Sequence, residues 1–181
     1  MSDIIEREIS DLLKAQNHEK AFRLIVSHFK ERIYWHCRRM VLCHENANDV
    51  SQNVFIKAWK ALPNFKGDSK IYTWLYRITN NECITFINSQ KIKFVEGSDE
   101  YLDYLSNTLI SDDYYDGDEI QMKLQLAVAS LPPKQQSVFN MKYFEDMKYD
   151  EIAKITESSV GSLKASYHHA VKKIEDFLKE D

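Results

Sequence analysis

Apolar residues at three- and four-residue spacing mark helices along the first half of the chain. Ile5, Ile9 and Leu12 give a short amphipathic helix over 3–15. Phe22, Ile25, Val26, Phe29, Ile33, Cys37 and Met40 form a long stripe that predicts a helix over 18–42. A third helix, capped by Asn46 or Asn48, runs to about Leu62, where Pro63 stops it. One of its faces carries Ala47, Val50, Val54, Ala58 and Ala61; a second carries Asp49, Gln52, Phe55, Ile56 and Trp59. Two apolar stripes on one helix require two burial partners. One is the helix's own bundle; the other is either a neighbouring helix or another protein, and the pattern does not choose.

Gly67-Asp68 makes a turn, Ser69 is a good N-cap, and a fourth helix follows over about 70–88. Ile71, Trp74, Leu75 and Ile78 form its core stripe. The other side shows Tyr72, Thr73, Tyr76, Arg77, Asn80 and Asn81. Aromatic rings, amides and an arginine on one face suit unpaired bases, which need π surfaces for stacking and short polar groups at their edges. The same face also reads as amphipathic tyrosines shielding a core.

Beyond residue 118 the pattern resumes. Ile120, Leu124, Ala127, Val128 and Leu131 predict a helix over 119–131, broken by Pro132. Pro133 fits position N1 of the next helix, over about 133–145, and Glu145-Asp146 makes a turn. Helices over 149–156 and 159–178 follow, with Ala153 allowing close approach and Ile152, Ile155, Val160 and Leu163 filling the angle between them, the spacing of a helix-turn-helix. The last helix buries Val160, Leu163, Tyr167, Ala170 and Ile174. It exposes Ser162, Ala165, Ser166, His169 and Lys172, flanked by Lys164 and His168. Small residues with donors near its N-terminus let the backbone enter a major groove, where the lysines meet phosphates. Glu157 occupies a turn position where the chain visits the left-handed region and glycine is preferred.

Charge divides the chain. The net charge of −4 conceals 15 basic against 10 acidic side chains in residues 1–93. Residues 94–119 contain no Lys or Arg but nine acids, Asp112, Asp113, Asp116 and Asp118 among them, and two of the four glycines. No sustained periodicity runs through this stretch, so 93–118 reads as a linker between residues 1–92 and 119–181, with a short helix at 99–106 through which it docks. The expected fold is all-α: two small helical domains joined by an acidic linker, the second a helix-turn-helix domain.

Four glycines and three prolines in 181 residues are too few for the tight turns of a β-sandwich or barrel, and no Gly-rich phosphate loop occurs. No apolar run reaches the roughly 18 residues of a membrane helix, and the acidic N-terminus MSDIIEREIS lacks a signal peptide's apolar region, which together predict a cytoplasmic protein without membrane insertion. Cys37, Cys43 and Cys83 form no C-x-x-C pair and read as reduced thiols. His168 and His169 diverge by about 100° around a helix and cannot share a metal. No nucleophile–base order stands out, and the carboxylates cluster where no rigid scaffold tunes them. Neither an enzyme, a metal site nor a cofactor is expected.

Two strings resemble a known family. NANDVSQNVFIKAWKALPNFKGDSKIYTWLYRI is similar to the first conserved domain of extracytoplasmic-function sigma factors of bacterial RNA polymerase, and LPPKQQSVFNMKYFEDMKYDEIAKITESSVGSLKASYHHAVKKI to the second. D-V-x-Q-x-V-F, F-K-G-D-S and T-W-L-Y-R-I together make the resemblance specific. It implies a non-enzymatic specificity subunit that directs core RNA polymerase to promoters. Asp49, Gln52, Phe55 and Trp59 match the surface that grips the coiled coil of the polymerase's largest subunit. Phe65, Lys66, Gly67, Asp68 and Ser69 match the loop that captures a flipped base of the −10 element. Thr73, Tyr76, Arg77, Asn80 and Asn81 match the helix that holds the melted strand. Ser162, Lys164, Ala165, Ser166, His168 and His169 fall on the helix that recognises the −35 element. The acidic linker matches the segment threaded through the polymerase's RNA channel, and the family's common regulator is an anti-sigma factor.

Departures concentrate in the last helix. The run K-A-S-Y-H-H-A-V-K-K lacks the family's usual arginines, Glu157 replaces a usual glycine, and Lys148 holds a cap position usually given to Ser or Thr. Loss of bidentate guanine contacts implies an unusual −35 sequence or greater dependence on DNA shape. The rival readings are a stand-alone helix-turn-helix regulator, which needs a dimer interface and a sensor domain, and a protein that binds polymerase without reading promoters.

Overall fold

The computed structural model describes residues 2–94, 99–111 and 118–179. Among these every regular element is helical: α1 (Ser2–Lys14), α2 (His18–Val41), α3 (His44–Ala61), a short 3₁₀ turn (Leu62–Asn64), α4 (Ile71–Lys91), α5 (Glu100–Ile110), α6 (Glu119–Ser130), α7 (Pro133–Phe139), a widened π turn (Asn140–Phe144), α8 (Tyr149–Thr156) and α9 (Val160–Lys179). The first domain is the bundle α1–α4; the second is α6–α9, ending in the helix-turn-helix α8–α9.

The predicted stripes form the core of the bundle. Ile25, Phe29, Ile33, Cys37 and Met40 of α2 pack against Ala47, Val50, Val54 and Ala58 of α3 and Ile71 and Leu75 of α4. Local details differ from the sequence reading. Helix α3 starts at His44, before Asn46 and Asn48, behind Cys43 in extended conformation with no side-chain cap. Instead the His44 ring bonds Tyr34 Oη at 2.7 Å and Asn48 Nδ2 at 3.0 Å. Ser69 does not cap α4 either. The Glu6 carboxylate reaches across from α1 and accepts from the backbone N–H of Ile71 and of Tyr72, both at 2.9 Å. A carboxylate there satisfies orphan donors and complements the positive helix end.

In the second domain, Ala127, Val128, Leu131, Phe139, Ala170 and Ile174 make a small core, and Phe139 stacks on Tyr167 at 5.7 Å. Ile120, expected inside, is 85% exposed. Pro133 stands at N1 of α7 as expected. The helix expected over 133–145 widens after Phe139, so that Glu145 N–H bonds Asn140 O. Glu151 accepts from Lys148 N–H at 3.0 Å, supplying half of a capping box where Lys148 offers no acceptor. The linker helix is longer than expected and docks, with Leu105 and Leu109 buried against Leu42 and Ala129.

The two domains do not keep separate cores. Val138, Met141, Met147, Ile152, Ile155 and Leu163 of the second join the main apolar cluster of the first. They lie over α2 and α4.

Candidate nucleic-acid interface

Helix α3 keeps its two faces apart. Ala47, Val50, Val54 and Ala58 are buried, whereas Asp49 and Gln52 are exposed, Ile56 is 51% and Trp59 44% exposed. Phe55 and Trp59 lean on Phe22 of α2, with ring centroids 6.5 and 5.1 Å from it. The second stripe therefore has no helix of this chain over its outer edge among the described residues. Exposed Trp and Ile at helical spacing, beside an acid, form a surface of the kind that partners cover.

The loop after α3 is held at both ends and open between. Phe65 packs on Trp74 at 5.2 Å, Lys66, Gly67 and Asp68 are exposed, and Ser69 is half-buried. Gly67 has φ +77, a left-handed conformation that strains any side chain. Such a turn presents backbone and short side chains outward around an anchored ring.

Helix α4 does gather the predicted polar and aromatic residues on one face, but the second domain covers most of it. Tyr76 is fully buried, Asn80 is 5% exposed and Thr73 is also buried; Arg77 is half-buried and Asn81 exposed. The Tyr72 and Tyr76 rings lie 4.5 Å apart, tilted by 45°, and the Arg32 guanidinium lies 4.7 Å over the Tyr72 ring. Three of the covered residues, Tyr76, Asn80 and Arg77, find partners across the domain boundary. Tyr76 Oη donates to Glu145 Oε2 at 2.7 Å, and Ser137 Oγ donates to Asn80 Oδ1. Arg77 donates to Lys154 O at 2.8 Å and pairs with Glu157 Oε1 at 2.8 Å. Glu145 also binds His36 Nδ1 at 2.6 Å, with the His36 side chain fully buried and that of Glu145 5% exposed.

The buried carboxylate explains the chemistry around it. Burial pushes Glu145 up, but the charge and hydrogen bond of His36, the Tyr76 hydroxyl and the nearby Arg39 outweigh this and hold it below the usual carboxylate range. An ionised carboxylate only accepts, so His36 Nδ1–H must be the donor. Burial, followed by the charge of Glu145, pushes the Tyr76 phenol strongly up and keeps it a neutral donor. A cleft of about 580 Å³, lined by Asp68, Tyr72, Thr73, Arg77, Glu151 and Lys154, lies between the loop and α8.

On the second domain, α9 follows the expected faces. Leu163, Ala170 and Ile174 are buried, while Ser162, Lys164, Ala165, His168 and His169 are exposed and Ser166 is half-buried. Glu157 adopts φ 55, ψ 38, the left-handed turn that the sequence demands there. Among the described residues no group of His, Cys, Asp and Glu is placed to hold a metal, and no helix is long and apolar enough to cross a membrane.

Residues 25–92 match the family model of sigma-70 region 2, and residues 121–174 that of sigma-70 region 4. The chain belongs to the extracytoplasmic-function sigma factors. Its relatives include the ECF RNA polymerase sigma factor SigW of Bacillus subtilis, 28% identical over 99% of this chain and 100% of that protein. The RNA polymerase sigma-H factor of Pseudomonas aeruginosa is 29% identical over 89% of this chain and 88% of its own length. The fold resembles that of CnrH in complex with the cytosolic domain of CnrY, at TM-score 0.64 and 19% identity over 94% of this chain and 97% of that one. It also resembles the sigma factor RpoE in complex with the anti-sigma factor NepR from Bartonella quintana, at TM-score 0.64 and 18% identity over 90% and 99%. As a sigma factor the chain is a non-enzymatic initiation subunit that directs RNA polymerase to promoters.

The sequence brought forward the residues of α3, the loop, α4 and α9. It missed Glu145 and Ser137, which bind α4 across the domain boundary, and His36 of α2, which pairs with Glu145. The only signal was an acid, a histidine and a serine placed next to apolar stripes, and nothing local pairs them.

Proposed function

We propose a division of the sigma factor's work among four surfaces of this chain. Asp49, Gln52, Phe55 and Trp59 dock on core polymerase. The loop Phe65–Ser69 and the α4 residues Thr73, Tyr76, Arg77, Asn80 and Asn81 capture and hold the melted −10 strand. Ser162, Lys164, Ala165, Ser166, His168 and His169 meet the −35 duplex. Residues 1–92 thus act at −10, 119–181 at −35, and the acidic 93–118 connects them inside the polymerase. Each DNA contact is weak alone, and the polymerase scaffold adds them by fixing their spacing. The protein works in the cytoplasm, where an anti-sigma factor is the partner class suggested by its structural neighbours.

The observation that carries this reading is the two-faced α3. A face bearing exposed Asp49, Gln52, Ile56 and Trp59, apart from the buried Val50–Val54–Ala58 stripe, keeps an outer edge that no other helix covers among the described residues. Surface substitutions usually change stability by less than about 0.5 kcal/mol, whereas a reversed charge on a docked surface costs several. Asp49→Arg should therefore leave the circular dichroism spectrum and melting temperature nearly intact and abolish co-purification with core polymerase. A folded variant that still binds polymerase normally places the interface elsewhere.

A further inference from the structure

The loop Phe65–Ser69 forms only one side of the cleft it borders. The other side is α1, which lies outside the residues matched by the region 2 model. Between the two is an open cleft of about 420 Å³. Ile9 and Leu13 of α1 and Phe65 of the loop give it apolar surface, and Ser10 and Asp68 bring polar groups from opposite sides. Ser10 and Asp68 are exposed and Leu13 is half-buried, so the cleft can be entered from solvent. Glu6, one turn before Ser10, also lines it and ties the two sides together. Its carboxylate holds the backbone N–H of Ile71 and of Tyr72, where α4 leaves the loop.

The chemistry of these walls selects an occupant. A base drawn out of its stack loses its neighbours and its pairing partner. A pocket holds it by apolar surface on its faces and hydrogen-bonding groups at its edge, and this cleft offers both. Glu6 and Asp68 repel a phosphate, which keeps out the strand's backbone and leaves room for a neutral ring. A carboxylate only accepts, and with about four lone-pair sites Glu6 keeps acceptor capacity beyond the two bonds to α4. Such acceptors suit a base with an exocyclic amino group over thymine, whose exocyclic groups are a methyl and carbonyl acceptors. We propose that α1 is the second wall of the base-capture site, with Ser10 and Leu13 facing the loop across a cleft that accepts one flipped, amino-bearing base of the promoter strand. The proposal rests on the assignment of the loop to strand capture given above, and adds the opposite wall and the class of base.

The test uses the full-length protein with core RNA polymerase. A promoter is taken from transcription of a genomic-fragment library, its −10 segment is randomised, and the transcribed templates are sequenced. The wild type should prefer amino-bearing bases over thymine about tenfold at one position, and Asp68→Ala should lower that preference. Ser10→Ala should lower it about threefold at the same position and leave the other positions unchanged. Ser10→Trp fills the cleft from an exposed position and should cut initiation roughly tenfold or more. Glu8→Trp puts the same ring at an exposed position of α1 that does not line the cleft, and should not. Circular dichroism confirms the fold, and Ser10→Ala carries the test if Ser10→Trp loses helix. A Ser10→Ala profile like the wild type's, beside an Asp68→Ala profile that has lost the preference, overturns α1 as a wall and leaves the loop's role standing. An equal loss at every position in Ser10→Ala, or a wild type that prefers thymine at the position Asp68 controls, overturns it as well. If Asp68→Ala and Ser10→Ala both keep the wild-type profile, the loop captures no base, and the assignment and the proposal fall together.

Discussion

At the scale of single residues, Glu145 is the least expected side chain in the molecule. It stands in a Glu-Asp turn, yet its carboxylate is buried between His36 and Tyr76. A buried carboxylate persists when donors and positive charge replace its water. His36, Arg32 and Arg39 face it from α2, and Tyr76 and Tyr72 from α4. Because its proton affinity is lowered in the folded chain, it stabilises the fold at any pH above the ordinary carboxyl value of about 4.3. The contribution disappears as pH falls through the lowered value, where the folded chain too takes up the proton. The melting-temperature gap between the wild type and Glu145→Gln should thus be full at pH 6 and shrink steadily below about pH 4. A gap that stays constant from pH 6 to pH 3 would show that the carboxylate charge does not hold the contact.

At the scale of elements, the helix-turn-helix was the most legible part of the sequence. Its first helix begins and ends where the spacing places it, and Glu157 takes the left-handed turn that its position required. The reason is physical: α8 and α9 are set by nearby residues and by one apolar angle between them. The start of α4 was not legible. Ser69 has the chemistry of a cap, but Glu6, 65 positions before Ile71, does the capping. The sequence left the tyrosines of this face open between stacking on bases and shielding a core, and gave no sign that Asn80 is buried, since a helix face suited to bases is equally suited to Glu145 and Ser137. The candidate site could be named from sequence; its contacts with the second domain could not. The Glu6 cap is testable by itself. Glu6→Ala removes two charge-assisted bonds and should cost about 1–2 kcal/mol, lowering the melting temperature of the full chain by several degrees. Glu6→Gln keeps an acceptor and should lose only about half as much. If Glu6→Ala melts with the wild type, water caps α4 equally well and the cross-helix bond is incidental.

At the scale of the whole molecule, charge is arranged in blocks. Residues 1–93 carry 15 basic and 10 acidic side chains, and 94–119 carry nine acids without a base. Part of this acidic stretch forms α5, whose apolar side docks Leu105 and Leu109 beside Leu42, leaving its acids to solvent. Asp112, Asp113 and Asp116 lie outside the described residues, and Asp118 caps α6 by accepting from Gln121 N–H at 2.9 Å. Docking at one end and a dense run of acids at the other are more than a spacer requires. The resemblance to sigma factors implies that the run enters a basic channel of the polymerase, where its charge stands in for RNA. Replacing Asp112, Asp113, Asp116 and Asp118 by Asn keeps size and hydrogen bonding but removes four charges. Asn also caps helices, so α6 should persist. Polymerase binding or promoter initiation should fall. The loss should be greatest at low salt, because the screening length shortens from about 30 Å at 0.01 M to about 10 Å at 0.1 M. In vitro transcription with core polymerase across that range checks it. A variant that initiates like the wild type at every ionic strength would reduce the segment to a tether between the two domains.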